Sequence, residues 1–234
     1  MRLVCFIITL LFGCTALAQD EVLTQKAVDS LYREDQFYFN VSYNNLQNLP
    51  TGLSKSKFSP GFSIGFLRDM PINKDRTLAV AAGLGYSLNI FNDNLYTYNS
   101  DNGNGTFTTT YEIISPDIFY SKNKLALSYI DLPIEIRWRS STPESHKFWR
   151  IYSGFKVSYL IADSYKFTND IGTTVIKHNA DLNKIQYGCY LTVGWNSVNF
   201  YAYYGLNPIY KSAAIGSEKI KMNTFNLGFQ FYIL

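Results

Sequence analysis

The residues best equipped for chemistry lie in two neighbouring segments. Asp131, Glu135 and Arg137 follow one another at even spacing, and so do Arg150 and Lys156. Even spacing puts side chains on one face of a β-strand. Ionisable groups sharing such a face can pass protons or ions. They can also neutralise one another in a dry interior, where an unpaired charge is costly. If the two strands form a hairpin, Asp131 comes near Lys156 and Glu135 near Arg150. The expectation is a plug of ion pairs with no continuous pore.

Hydrolysis asks for more than this. The chain has 2 histidines. His146 falls in a short link and His178 in a long one, and neither has a clear partner for nucleophilic or acid–base work. No cluster has metal-ligand spacing, and there is no phosphate loop. The expectation is a protein that is not an enzyme and takes neither cofactor nor metal.

The elements that must carry these residues are strands. Phe225, Leu227, Phe229, Phe231 and Ile233 alternate with Thr224, Asn226, Gly228, Gln230 and Tyr232. The same split between an apolar face and a polar or small face recurs seven times upstream, beginning at Phe37. Several of these segments run ten residues or more, enough to cross a bilayer at a tilt, whereas strands of soluble proteins are about five or six long. Links alternate too. Those near Asp69–Arg76, Ser140–Lys147 and Asn196–Ser197 are short, and the four between them are long. The predicted fold is all-β, an eight-stranded antiparallel transmembrane β-barrel with short periplasmic turns and long extracellular loops. Closure is expected between Gln36–Tyr43 and Asn223–Ile233. Inward glycines such as Gly85, Gly154 and Gly188 leave room for inward tyrosines, so the lumen is filled by side chains.

Composition agrees. Aromatics make up 17% and charged residues 17% of the chain, with a formal charge of +3. That charge forms no basic stripe, so nucleic acid is excluded as a partner. Residues 1–18 have the pattern of a signal peptide, with Arg2 before an apolar run and Ala16-Leu17-Ala18 at its end. Cleavage is expected between Ala18 and Gln19. Leu11-Phe12-Gly13-Cys14 has the outline of a lipoprotein box, which the bulky Phe12 disfavours. Residues 19–35 form a polar periplasmic N-terminal segment, and residues 36–234 the barrel. Cys189 alone remains after cleavage, so no internal disulfide forms, and it is expected to face lipid.

Two further features carry function. Asn226, Gly228, Phe231 and Ile233 match the closing-strand signal read by barrel-assembly machinery, which is the expected partner along with outer-membrane lipid. Arg68, Asp69, Met70, Pro71 and Ile72 form a stiff periplasmic turn with apolar residues beside charges, a candidate protein contact.

Three stretches go beyond physical pattern. Tyr32-Arg33-Glu34-Asp35-Gln36-Phe37-Tyr38 leads into the first strand. Gly65-Phe66-Leu67-Arg68-Asp69-Met70-Pro71-Ile72-Asn73 covers the end of the second and its turn. Tyr129-Ile130-Asp131-Leu132-Pro133 opens the fourth. Together they resemble the PorT family of Bacteroidetes outer-membrane β-barrels; the last alone marks only the broader barrel superfamily. The resemblance implies an accessory role in type IX protein secretion, with gliding motility in gliding bacteria, exercised through other secretion-system proteins. The alternative is a small-solute transporter or a surface-binding barrel.

Overall fold

The computed structural model describes residues 35–101, 103, 105–140 and 148–233. The expected signal peptide with its Ala18–Gln19 junction, nearly all of the 19–35 segment, and His146 lie outside them. The strands are β1 (Gln36–Gln47), β2 (Pro60–Pro71), β3 (Leu78–Phe91), β4 (Leu95–Asp101), β5 (Phe107–Ile113), β6 (Lys122–Arg139), β7 (Trp149–Thr168), β8 (Thr173–Lys177), β9 (Ile185–Trp195), β10 (Val198–Gly205), β11 (Ala214–Ile215), β12 (Glu218–Lys219) and β13 (Asn223–Ile233). There is no helix among the described residues.

Eight of these strands pair in the order β6-β3-β2-β1-β13-β10-β9-β7, and β6 also pairs with β7, which completes a ring. Every pairing is antiparallel. The β1–β13 seam runs from Phe37 opposite Ile233 to Gln47 opposite Asn223. The β3–β6 ladder has a gap between the Ala82–Ile134 and Gly85–Asp131 pairs. It falls at Pro133, which has no N–H to donate.

Alternation sets the two faces. Outward residues include Phe37, Ile64, Leu84, Leu132, Ile136, Phe200 and Phe229, all exposed, while inward Tyr38, Ala81, Tyr152, Thr192 and Tyr232 are buried. A Cβ at Gly154 would overlap the Tyr190 ring, and one at Gly85 the Tyr38 hydroxyl. These glycines are therefore the clearance that lets the tyrosines fill the interior. All 3 tryptophans, Trp138, Trp149 and Trp195, face outward at the end with the short links, where Trp149 and Trp195 meet edge to face at 5.5 Å. Outward Tyr86, Tyr159, Tyr187 and Tyr204 mark the other end. From Tyr187 to Trp195 a strand spans about 26 Å, or about 20 Å once tilted, close to the band between the aromatic girdles of outer-membrane barrels.

At the long-loop end the chain forms a cap with its own core. The β4–β5 hairpin, β8 and the β11–β12 hairpin extend beyond the ring. Leu53, Leu95, Ile114, Leu182, Ile209 and Met222 from these links pack with Phe91, Leu127 and Tyr129 of the barrel strands. β7 enters the cap through a bulge: Tyr129 pairs with Leu160 and Ser128 with Ala162, leaving Ile161 as the extra residue. Below it, even-numbered Arg150, Tyr152 and Ser158 are buried; above it, odd-numbered Tyr165 and Phe167 are. One unpaired residue thus exchanges the two faces of the strand.

Candidate functional site

The lumen holds a connected set of charges. Asp69 of β2 receives Arg137 at 3.1 Å on one carboxylate oxygen and Arg139 at 2.9 Å on the other, all with fully buried side chains. Arg137 also reaches Glu135 at 2.7 Å. The second oxygen of Glu135 accepts the hydroxyls of Tyr190 at 2.7 Å and Tyr232 at 3.2 Å. The Arg137 guanidinium lies 4.8 Å from the centre of the Tyr152 ring. The network therefore ties β2, β6, β7, β9 and β13 across the ring. Shared acceptors and stacked rings compensate charges taken out of water.

A second pair sits nearer the cap. Asp131 lies 3.4 Å from Lys156 and accepts the Ser158 hydroxyl at 2.5 Å. The Lys156 ammonium stands 4.8 Å from the Tyr203 ring centre. Lumen cavities next to Lys156 measure about 10 and 20 Å³, room for roughly one water each.

The Asp131–Lys156 pair is where the hairpin argument placed it. The Glu135–Arg150 pair is not. The register sets Glu135 opposite Gly154 and Arg150 opposite Arg139, so the two lie four residues apart. Glu135 takes Arg137 instead, while Arg150 donates to the Asn196 carbonyl at 2.6 Å and stacks over Phe148 at 4.5 Å.

The periplasmic turn also differs from the expected one. Asp69 is buried, and β2 stays paired as far as Pro71 opposite Ala79. Asp69 shares the inward parity of Leu67, so it belongs to the lumen network and is not exposed for contact. Parity was also the available signal for Arg139, two positions beyond Arg137. Arg68, Met70 and Ile72 remain exposed, Met70 by 44% and Ile72 by 65%, and Pro71 is half-buried. The turn itself is held by Asn73, whose side chain donates to Thr77 at 2.7 Å and accepts the Leu78 N–H at 2.9 Å.

Asn226 is buried, Gly228 packs against the β1 backbone at Val41 and Ser42, Ile233 faces outward, and Phe231 lies across from Phe39. Cys189 is an exposed free thiol on the outer face of β9. His178 is exposed in the cap at a φ of 57°. In the cap, burial raises the Tyr111 and Tyr210 hydroxyls above their ordinary range. Burial likewise pushes the Asp93 carboxyl up to about 6, against a lowering hydrogen bond from the Leu95 N–H.

Residues 17–211 match the family described as outer membrane protein beta-barrel domain. The chain belongs to this family. As an outer-membrane β-barrel it sits in the outer membrane, with its exposed apolar face toward lipid. Among solved structures, the chain is similar to the attachment invasion locus protein Ail of Yersinia pestis, solved in complex with the heparin analogue sucrose octasulfate. The identity is 12%, covering 87% of this chain and 100% of Ail, with a TM-score of 0.40. A mutant porin of Rh. blastica is similar at 8% identity, over 86% of this chain and 100% of the porin, with a TM-score of 0.20. A search of curated proteins found no match.

Proposed function

We propose that this outer-membrane β-barrel is a non-conducting accessory component of type IX protein secretion, in gliding bacteria also of motility. It acts through contacts with other secretion-system proteins and carries out no catalytic step. The observation that carries the reading is the ion-pair network joining Asp69, Glu135, Arg137 and Arg139 across the lumen. A barrel filled in this way offers solutes no path, so its working surfaces are its rims. The resemblance of the segments around Gln36, Arg68 and Asp131 to PorT supplies the process. The exposed Met70 and Ile72, beside Arg68, supply a contact surface on the periplasmic rim. Insertion relies on the barrel-assembly machinery through the closing strand.

The test is deletion of the gene followed by analysis of the culture supernatant. Secreted cargo is expected to fall while the envelope stays intact. Normal secretion in the deletion strain overturns the reading. A surface-binding barrel is the second reading, favoured by Phe107, Phe119 and Ile171, which stand 67%, 85% and 95% exposed on the cap. Loss of surface adhesion with secretion unchanged would select it.

A further inference from the structure

Two open cavities lie side by side on the outer rim. One, about 500 Å³, opens where β7 parts from β9, and Ile161, Lys184 and Lys211 line it. The other, about 460 Å³, lies beside the link from β10 to β13, lined by Leu206, Lys211, Lys219 and Lys221 among others. Lys211 belongs to both walls. No carboxylate stands within ion-pair distance of these four lysines among the described residues. The nearby acids are engaged elsewhere. Asp163, also on the first wall, accepts the Asn179 N–H at 3.0 Å. Asp181 accepts the hydroxyls of Ser212 and Tyr111. Glu218 accepts the Thr51 N–H at 3.3 Å.

The level of these cavities is set by what lies at their lower edge. Ile161, Ile185, Tyr187, Tyr204 and Leu206 face outward and are 41–56% exposed. They form the top of the lipid-facing band. Lys184 directly precedes Ile185, and Lys211 follows Leu206 within the same link. Cations in a hollow directly above an apolar band match an amphiphile that carries phosphate on its headgroup, since ammonium groups at a membrane surface attract anionic headgroups while their stems stay on apolar surface.

We propose that this corner of the rim binds a phosphorylated glycolipid of the outer leaflet. Its phosphates lie among Lys184, Lys211, Lys219 and Lys221, and its acyl chains run down past Ile161, Tyr187 and Leu206.

The test reconstitutes the full-length mature protein in phosphatidylcholine nanodiscs holding either diphosphoryl lipid A or its dephosphorylated form, and counts retained lipid by native mass spectrometry. Wild type is expected to retain the diphosphoryl form and release the other. Lys211→Gln with Lys219→Gln lowers retention on the order of tenfold or more, and Lys211→Arg with Lys219→Arg restores it. Lys74→Gln, on the opposite rim, changes nothing. Heat-modifiable gel mobility verifies that each variant is folded. Equal retention of the two lipids, or undiminished retention by the Gln pair, overturns the proposal. So does displacement by inorganic phosphate, which would mark a free-anion site. Preferential capture of a polyglutamate peptide also overturns it, because the occupant would then be an acidic protein segment.

Discussion

At the scale of single residues, Arg137 has most depending on it. It touches Asp69, Glu135 and the Tyr152 ring at once. Arg137→Gln leaves buried carboxylates short of a partner and is expected to cost about 3–5 kcal/mol, read as a lower urea midpoint in heat-modifiable gel mobility. Lys156→Met is expected to cost less, because Lys156 keeps 13% of its side-chain surface exposed. If Arg137→Gln unfolds like wild type, the network is not what braces the lumen. Asp93 makes a prediction about pH. Its carboxyl, ordinarily at 3.8, is pushed up to about 6 by burial. The folded cap therefore holds a proton that the opened cap releases, and order in the cap falls as pH rises from about 4 to 6, then levels off. The loss amounts to roughly 3 kcal/mol. Protection factors of residues 92–101 and 105–122, corrected for the intrinsic pH dependence of amide exchange, should be higher at pH 4.5 than at pH 7.5. Asp93→Asn should remove the difference while keeping an acceptor for the Leu95 N–H.

At the scale of elements, what the sequence revealed was periodicity, and its errors came where periodicity was cut short or interrupted. The apolar face of β13, the lumen face of β6 up to Arg137 and the seam partners could all be read from alternation. Reading a link from Asp69 onward hides that residue's inward place, because β2 stays paired to Pro71; Arg139, at the last position of β6, keeps the parity of Arg137. The bulge at Ile161 left no compositional mark. It inverts the faces above it, so Tyr165 and Phe167 could not be assigned inward by counting from Arg150. The cap core was also hidden: Leu53, Ile114, Leu182, Ile209 and Met222 sit in irregular links, where no period announces burial. Deleting Ile161 should leave Leu160 and Ala162 consecutive opposite Tyr129 and Ser128, a regular ladder that keeps Tyr165 and Phe167 inward. Limited proteolysis is then expected to spare the cap as in wild type; a cut cap would mean that the bulge itself is needed to seat the cap. On the other rim, Met70→Ser with Ile72→Ser leaves the Asn73 clasp and Asp69 untouched. Under the secretion reading it should abolish export at normal barrel abundance, and export that survives removes the turn as the contact.

At the scale of the whole molecule, the ring fixes which links face which compartment. A cysteine at exposed Gly103 should react with an impermeant reagent added to intact cells, and one at exposed Lys74 should not; the reverse pattern would invert the barrel. Lys74 suits this test better than Asn73, whose side chain holds its turn together. Purified protein in planar bilayers should show no steady conductance. The seam has a consequence for how the molecule is made. Seven of the ring's eight neighbouring pairs join strands that follow one another around the chain, but β1 pairs with β13, so Phe37 waits for Ile233. Until those last residues arrive, both margins of the growing sheet present bare N–H and C=O groups, which hydrocarbon cannot satisfy and which invite pairing with foreign chains. The closing contact spans nearly the whole sequence, so it comes late and slowly. Translation that stops before Asn223 thus yields no smaller barrel with reduced activity; it leaves a sticky sheet in the periplasm for proteases to clear, and biogenesis becomes all-or-none.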